Sequence, residues 1–161
     1  MALNKSVLIA QLVDLFEREL AALSQSARAA HEAATHEESQ AEDKHDTRAT
    51  EASYLAQGQA VRVAEVERLV LEFKGYLEQA DRTFDRIYPG ALIDLTSDGK
   101  SICSFYALSG GGTQIVHDTK TVVITTPKSP LGEALNGLAV GDLAEVETKA
   151  GIKEYSVLKI S

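Results

Sequence analysis

Residues 1–86 contain no proline and only two glycines, Gly58 and Gly75, and apolar residues recur along them in steps of three and four. A 3.6-residue period returns such positions to one helix face, and nothing in the run breaks the backbone. The first seam is Leu8, Leu12, Phe16, Leu20, Leu23, Ala27, Ala30 and Ala34. The second is Ala49, Ala52, Ala56, Val63, Val66, Val70, Phe73, Leu77, Ala80 and Phe84. Both are narrow stripes of the coiled-coil kind. Side-chain size falls along the first and rises along the second, so antiparallel pairing sets large opposite large and small opposite small. The expectation is a two-helix antiparallel hairpin, wide at its Leu/Phe base and closely packed at its Ala end. The bend is expected at about residues 37–46, where the seam stops. A second helix over Thr47–Arg82 would run about 54 Å. Its Ala-lined end buries least and should fray first.

The chain changes character at Ile87-Tyr88-Pro89-Gly90: all three prolines and nine of the eleven glycines follow residue 86. A domain boundary is placed there, dividing a hairpin, 1–86, from a second domain, 87–161. In the second domain "ALIDLTS" and "SICSFYALS" flank Asp98-Gly99, a strong hairpin signal. "TQIVHD" and "TVVITT" read as two more strands. Ser129, Pro130 and Gly137 mark the cap, first position and end of a short helix. Alternating residues on both sides of Ala150-Gly151 form a last hairpin. The sum is an α+β chain whose second domain is a mostly antiparallel sheet with one short helix.

The net charge of −8 argues against strong nonspecific binding to DNA or RNA, because few counterions would be released. Cys103 is the single cysteine, so no intrachain disulfide forms, which suits a reducing cytoplasm. The apolar run at the N-terminus is interrupted at once by Asp14 and Glu17, so neither a signal peptide nor a membrane span is expected.

Four patterns bear on chemistry. "HEAATHE" places His31 and His36 five apart, about 140° around a helix, whereas a zinc pair needs one face. Cys103 lies in a strand-like run and reads as a small core residue. "SGGGTQ" lacks the Lys-Ser/Thr of a phosphate loop and reads as a flexible turn. The acids Glu37, Glu38, Glu42, Asp43 and Asp46 crowd the expected bend, balanced only by Lys44. Asp43 and Asp46, three apart, are close enough to share a Mg²⁺ if that segment is helical.

The stretch "SPLGEALNGLAVGDLAEVETKAGIKEYSVLKIS" resembles the C-terminal signature of the bacterial Gre family of transcript cleavage factors. It carries Ser129-Pro130, Leu131-Gly132, Ala134-Leu135, Gly137, Val140-Gly141-Asp142, Glu145-Val146, Gly151 and Glu154-Tyr155 in the family's order. The resemblance implies an FKBP-like C-terminal domain behind a coiled-coil hairpin. It implies an accessory factor, not an enzyme, that binds RNA polymerase, and the hairpin reading predicts a monomer. The C-terminal domain would dock at the rim of the secondary channel through Ser129, Pro130, Leu131 and Gly132. The hairpin would enter the channel. There Asp43 and Asp46, with Glu37, Glu38 and Glu42 supplying local field, would assist the polymerase's own Mg²⁺ in cleaving backtracked RNA. The factor itself would bind no metal and no cofactor of its own.

The family's tip reads Asp-x-x-Glu-Asn; here Asp43 and Asp46-Thr47 keep the spacing with different residues. Tyr54 matches a family tyrosine, Ser53 replaces the acid before it, and about four extra residues extend the tip by about 6 Å. Two outcomes stay open: a factor that modulates cleavage, and one that occupies the channel and inhibits without cleaving. Two other classes compete. A prolyl isomerase would need an aromatic floor from Tyr88, Phe105, Tyr106 and Tyr155. A coiled-coil adaptor would need a stable dimer. Arg62, Arg68 and Lys74 on the second helix read as solvated charges, with contact to RNA or channel walls as the alternative.

Overall fold

The computed structural model describes residues 3–40 and 47–161; for residues 34, 37–40, 47–49 and 52 only the backbone is described. Helix α1 spans Lys5–Gln40 and helix α2 spans Thr47–Glu78. The chain packs as two compact units, one of Met1–Leu12 with Lys74–Ser161, the other of Val13–Phe73.

The Val13–Phe73 unit is the antiparallel helix pair that the seams require. Phe16 meets Phe73 with ring centroids 5.0 Å apart and planes tilted by 59°. Val66 and Val70 are buried with them, and Leu20, Leu23, Ala27, Ala30, Ala56 and Val63 are half-buried. Val13 and Leu69 are also buried, widening the apolar face beyond the narrow seam. Arg62 bonds across to Glu19 at 2.6 Å and along its own helix to Glu65 at 3.2 Å, so this cation is engaged within the pair. An exposed pair of this kind adds little stability. The Ala-lined end of the pair carries a surface depression. A groove of about 360 Å³ opens between Ala27, His31 and Thr35 on one side and Ser53, Ala56 and Gln57 on the other.

In α2 the regular helix ends four residues before Arg82. Gln79 and Ala80 donate to carbonyls three residues back, which tightens the last turn. Ala80 and Phe84 therefore continue the seam outside the helix. Phe84 leaves it to pack against the sheet core, and Lys5 and Arg82 lie over its ring at 4.8 and 5.1 Å. The Lys5 ammonium also donates to the Arg82 carbonyl at 2.8 Å.

The remaining elements are β1 (Leu92–Ser97), β2 (Lys100–Tyr106), β3 (Gln114–His117), β4 (Lys120–Thr125), α3 (Pro130–Leu135), β5 (Leu143–Thr148) and β6 (Gly151–Ile160). They form one six-stranded sheet in the order β3-β4-β2-β1-β6-β5. Four of its five pairings are antiparallel; β2 and β4 are parallel, with Cys103 beside Val122 and Phe105 beside Ile124. The sheet is mostly antiparallel, as expected, and the parallel pair is the exception. The chain leaves β2 through residues 107–113, forms β3 on the outside, and returns in β2's direction. The "SGGGTQ" segment is bonded onto β4 as it passes: Gly112 donates to Ile124 at 2.9 Å, and Ile124 to Thr113 at 2.8 Å.

Alternation along the strands gives the sheet two faces. One carries Ile93, Leu95, Tyr106, Ala144 and Val157 into a core closed by Leu135 of α3 and by Ile87. The other carries Phe105, whose ring meets Tyr76 edge-on at 5.5 Å, and His117, whose Nδ1 lies 2.6 Å from Gln11 Oε1.

The turns explain the glycines and one anomaly. Asp98 and Gly99 (φ 51° and 72°) make the tight β1–β2 turn that twisted antiparallel strands favour. The β3–β4 turn uses the same left-handed conformations at Asp118 and Thr119 (φ 46° and 69°). A β-branched residue is strained there by about 1 kcal/mol or more. Thr119→Gly should therefore stabilise the protein by about 1 kcal/mol, measured as a higher urea midpoint with an unchanged slope.

Candidate functional site

The predicted docking residues lie at the start of α3, and the sequence builds this corner from several close contacts. Ser129 adopts an extended backbone, and its hydroxyl accepts a hydrogen bond from the Gly132 amide at 3.0 Å. The same hydroxyl lies 3.0 Å from the Thr126 carbonyl, to which it donates. Pro130 takes the first helical position, where its missing N–H costs nothing. Gly132 is buried, and a Cβ built on it would fall 1.7 Å from the Thr126 carbonyl oxygen. Only glycine lets the helix sit so close to the end of β4. The buried Tyr106 hydroxyl donates to the Gly132 carbonyl at 2.7 Å, tying the helix to β2.

The result is a rigid corner with an exposed edge. Pro130 is exposed and Leu131 is half-buried, packed against the sheet core. Beside them a depression of about 410 Å³ runs over Gly111, Gly112, Thr126 and Lys128. Gly111 keeps it open, because a Cβ there would crowd the Thr126 side chain at 3.1 Å.

The rest of the signature has structural work of its own. Val140-Gly141-Asp142 is a tight turn: Asp142 donates its amide to the Ala139 carbonyl, its carboxylate accepts the Ala139 amide at 2.8 Å, and Gly141 supplies φ 92°. Gly137, at φ 78° just past α3, donates to Ile87 and accepts from Arg86. Tyr106, Thr126 and Ile87 hold the corner, and none was singled out for it from sequence. The available signal was Tyr106 alone, a hydroxyl at a strand position that must find a partner once buried.

The other predicted residues stand differently. Glu37 and Glu38 lie in the last turn of α1 rather than in a bend, their side chains outside the description. Glu42, Asp43 and Asp46 lie outside the described residues. His31 and His36 are both exposed, and among the described residues no group of three His, Cys, Asp or Glu side chains gathers to hold a metal. No described helix is long and apolar enough to cross a membrane. The four aromatics of the isomerase reading do not share a floor: Phe105 and Tyr106 face opposite sides of the sheet, Tyr88 is exposed, and Tyr155 packs beneath Lys153. Cys103 is buried, and desolvation, reinforced by Asp94, pushes its thiol up to about 12. A nucleophilic cysteine needs the opposite shift.

A helical pair, a six-stranded sheet and a capped α3 corner define an α+β protein of hairpin-and-sheet type. Residues 116–161 match the family described as "Transcription elongation factor, GreA/GreB, C-term", a segment that includes α3 with its Ser129 cap, β5 and β6. Among solved structures, the chain is similar to the GreA factor homolog Gfh1 of Thermus thermophilus (19% identity, 92% of this chain and 94% of that one, TM-score 0.36). It is also similar to Thermus aquaticus Gfh1 (20%, 91% and 92%, TM-score 0.37). A third is a GreA/GreB elongation factor from Nitrosomonas europaea (14%, 55% and 75%, TM-score 0.37). No curated protein matches the chain.

Two outcomes check the local chemistry. Gly132→Ala should cost about 3 kcal/mol or more in urea unfolding, because the clash is with backbone, whereas Tyr106→Phe should cost only about 1–2 kcal/mol. With its thiol near 12, Cys103 should carry about one thiolate in 10⁴ at pH 8. A thiol reagent should therefore label the folded protein at least about 100-fold more slowly than the urea-unfolded chain.

Proposed function

We propose that this protein is a Gre-type regulator of transcription elongation that docks on RNA polymerase through the α3 corner and presents acidic residues to the polymerase active centre. The observation that carries the reading is the family match over residues 116–161, because that segment contains α3 with its Ser129 cap, the closely packed Gly132 and the exposed Pro130. The docking surface is then Ser129, Pro130, Leu131 and Gly132, beside the Gly111–Lys128 depression. Ser129 and Gly132 shape the corner; Pro130 and Leu131 offer it. The carboxylates of Asp43 and Asp46, in the sequence between α1 and α2, supplement the polymerase's Mg²⁺ at the end of the secondary channel. The Mg²⁺ is the polymerase's own, and this chain brings charge and position.

A second reading has its own support. Asp46, Thr47 and Ser53 stand where the family has Glu, Asn and Glu, which favours a channel-bound modulator that does not promote cleavage. Backtracked elongation complexes separate the two. A cleaving factor shortens the transcript, and Asp43→Ala/Asp46→Ala removes that activity without loss of binding. A modulator changes pausing or initiation and leaves the backtracked RNA intact. Pro130→Ala should weaken polymerase binding about tenfold while leaving the unfolding midpoint unchanged. Identical cleavage and pausing by wild type and the double variant would remove the tip from the mechanism.

A further inference from the structure

The sheet face opposite the α3 core holds a groove of about 500 Å³, within the range of about 300–1,000 Å³ usual for small-molecule sites. Strand register assembles it. Asp94 on β1 stands directly beside Cys103 on β2 and Lys159 on β6. Cys103 stands beside Val122 on β4, and Lys120, two residues earlier on that strand, shares its face. The four side chains come from four strands and line one depression, with Ser101 and Thr121 at its edge. The pairing of β1 with β6 shifts register between Asp94 and Leu95, which opens the sheet surface at this point.

The charges around the groove are not used up by one another. Among the described residues neither lysine forms an ion pair with the half-buried Asp94 carboxylate, whose near neighbour is the Cys103 thiol. Burial, reinforced by the Asp94 carboxylate beside it, keeps the thiol protonated. Two ammonium groups and one carboxylate therefore surround the space, a local net of +1 in a chain of net −8. Separated charges of both signs select a ligand by pattern as well as by total charge.

We propose that this groove binds a small dicarboxylic amino acid, its two carboxylates meeting Lys120 and Lys159 and its ammonium meeting Asp94. Two anionic groups and one cation on a short chain are the complement of what the strands present. Ser101, two residues before Cys103 on β2 and on the same face, supplies a hydroxyl for a remaining carboxylate oxygen. The site lies within the sheet unit and does not depend on the polymerase reading.

The test is a titration of the full chain with L-glutamate, followed by amide chemical shifts. Glutarate, which lacks the ammonium, and 4-aminobutyrate, which lacks one carboxylate, serve as controls. The expected result is saturable shifts at Asp94, Cys103, Lys120 and Lys159, with each control at least about tenfold weaker. Lys120→Ala and Lys159→Ala, both at exposed positions, should each weaken L-glutamate about tenfold. Asp94→Asn should erase the preference for L-glutamate over glutarate. Should Asp94→Asn disturb folding, protection of Cys103, the chain's single thiol, from a slow thiol reagent by L-glutamate gives a second readout on the unmodified protein. Absence of saturation at tens of millimolar (an upper bound set by weak small-ligand affinity of about 10⁻² M), shifts centred elsewhere, or equal binding of glutarate would overturn the proposal.

Discussion

The sheet unit depends on one close approach. The backbone of α3 comes so near the end of β4 that no side chain fits at Gly132, and the Tyr106 hydroxyl takes up the carbonyl left there. Because α3 is held at that distance, Leu135 reaches the core with Ile87, Ile93 and Leu95, and residues 137–138 come within bonding range of Ile87. The Val140–Asp142 turn then starts β5 at the right height to bond with β6. A short helix of six residues has little stability of its own. Its position is set by these contacts, and in turn it sets where Pro130 stands.

Much of this was legible in the chain, for local reasons. The helical seams are a repeating signal, and the members whose side chains are described are buried or half-buried, with Phe84 reaching its place outside the helix. Asp98-Gly99 announced its turn through residues that tolerate positive φ; Asp118-Thr119 did not, since threonine disfavours it. Ile9, Val13 and Leu69 were missed because they flank the seam and are buried by neighbours distant in sequence. The β2–β4 parallel pair was invisible for the same cause: strand direction after a connection of 13 residues, Ala107 to Thr119, follows from tertiary packing and leaves no local trace.

The two candidate sites differ in legibility in the same way. Ser129-Pro130-Leu131-Gly132 is contiguous, and its cap, proline and glycine each have a stereochemical reason that shows in the letters. Lys120, Asp94 and Lys159 come from strands dozens of residues apart and meet only through register. Asp43 and Asp46 are legible as charge, and their reading rests on resemblance.

The strand order carries a consequence for synthesis. β1, made early, takes β6, the last strand in sequence, as one of its two neighbours, and the Leu92 amide and carbonyl both bond to Ser161. As the chain emerges from a ribosome, β1 and β2 can form their hairpin and β4 can join it. The other flank of β1 then waits, open, for some fifty residues (on the order of several seconds at usual elongation rates). An exposed strand edge is a template for pairing with another chain. The vulnerable moment for this protein is thus during its making, before β6 closes the flank and buries Val157 in the core.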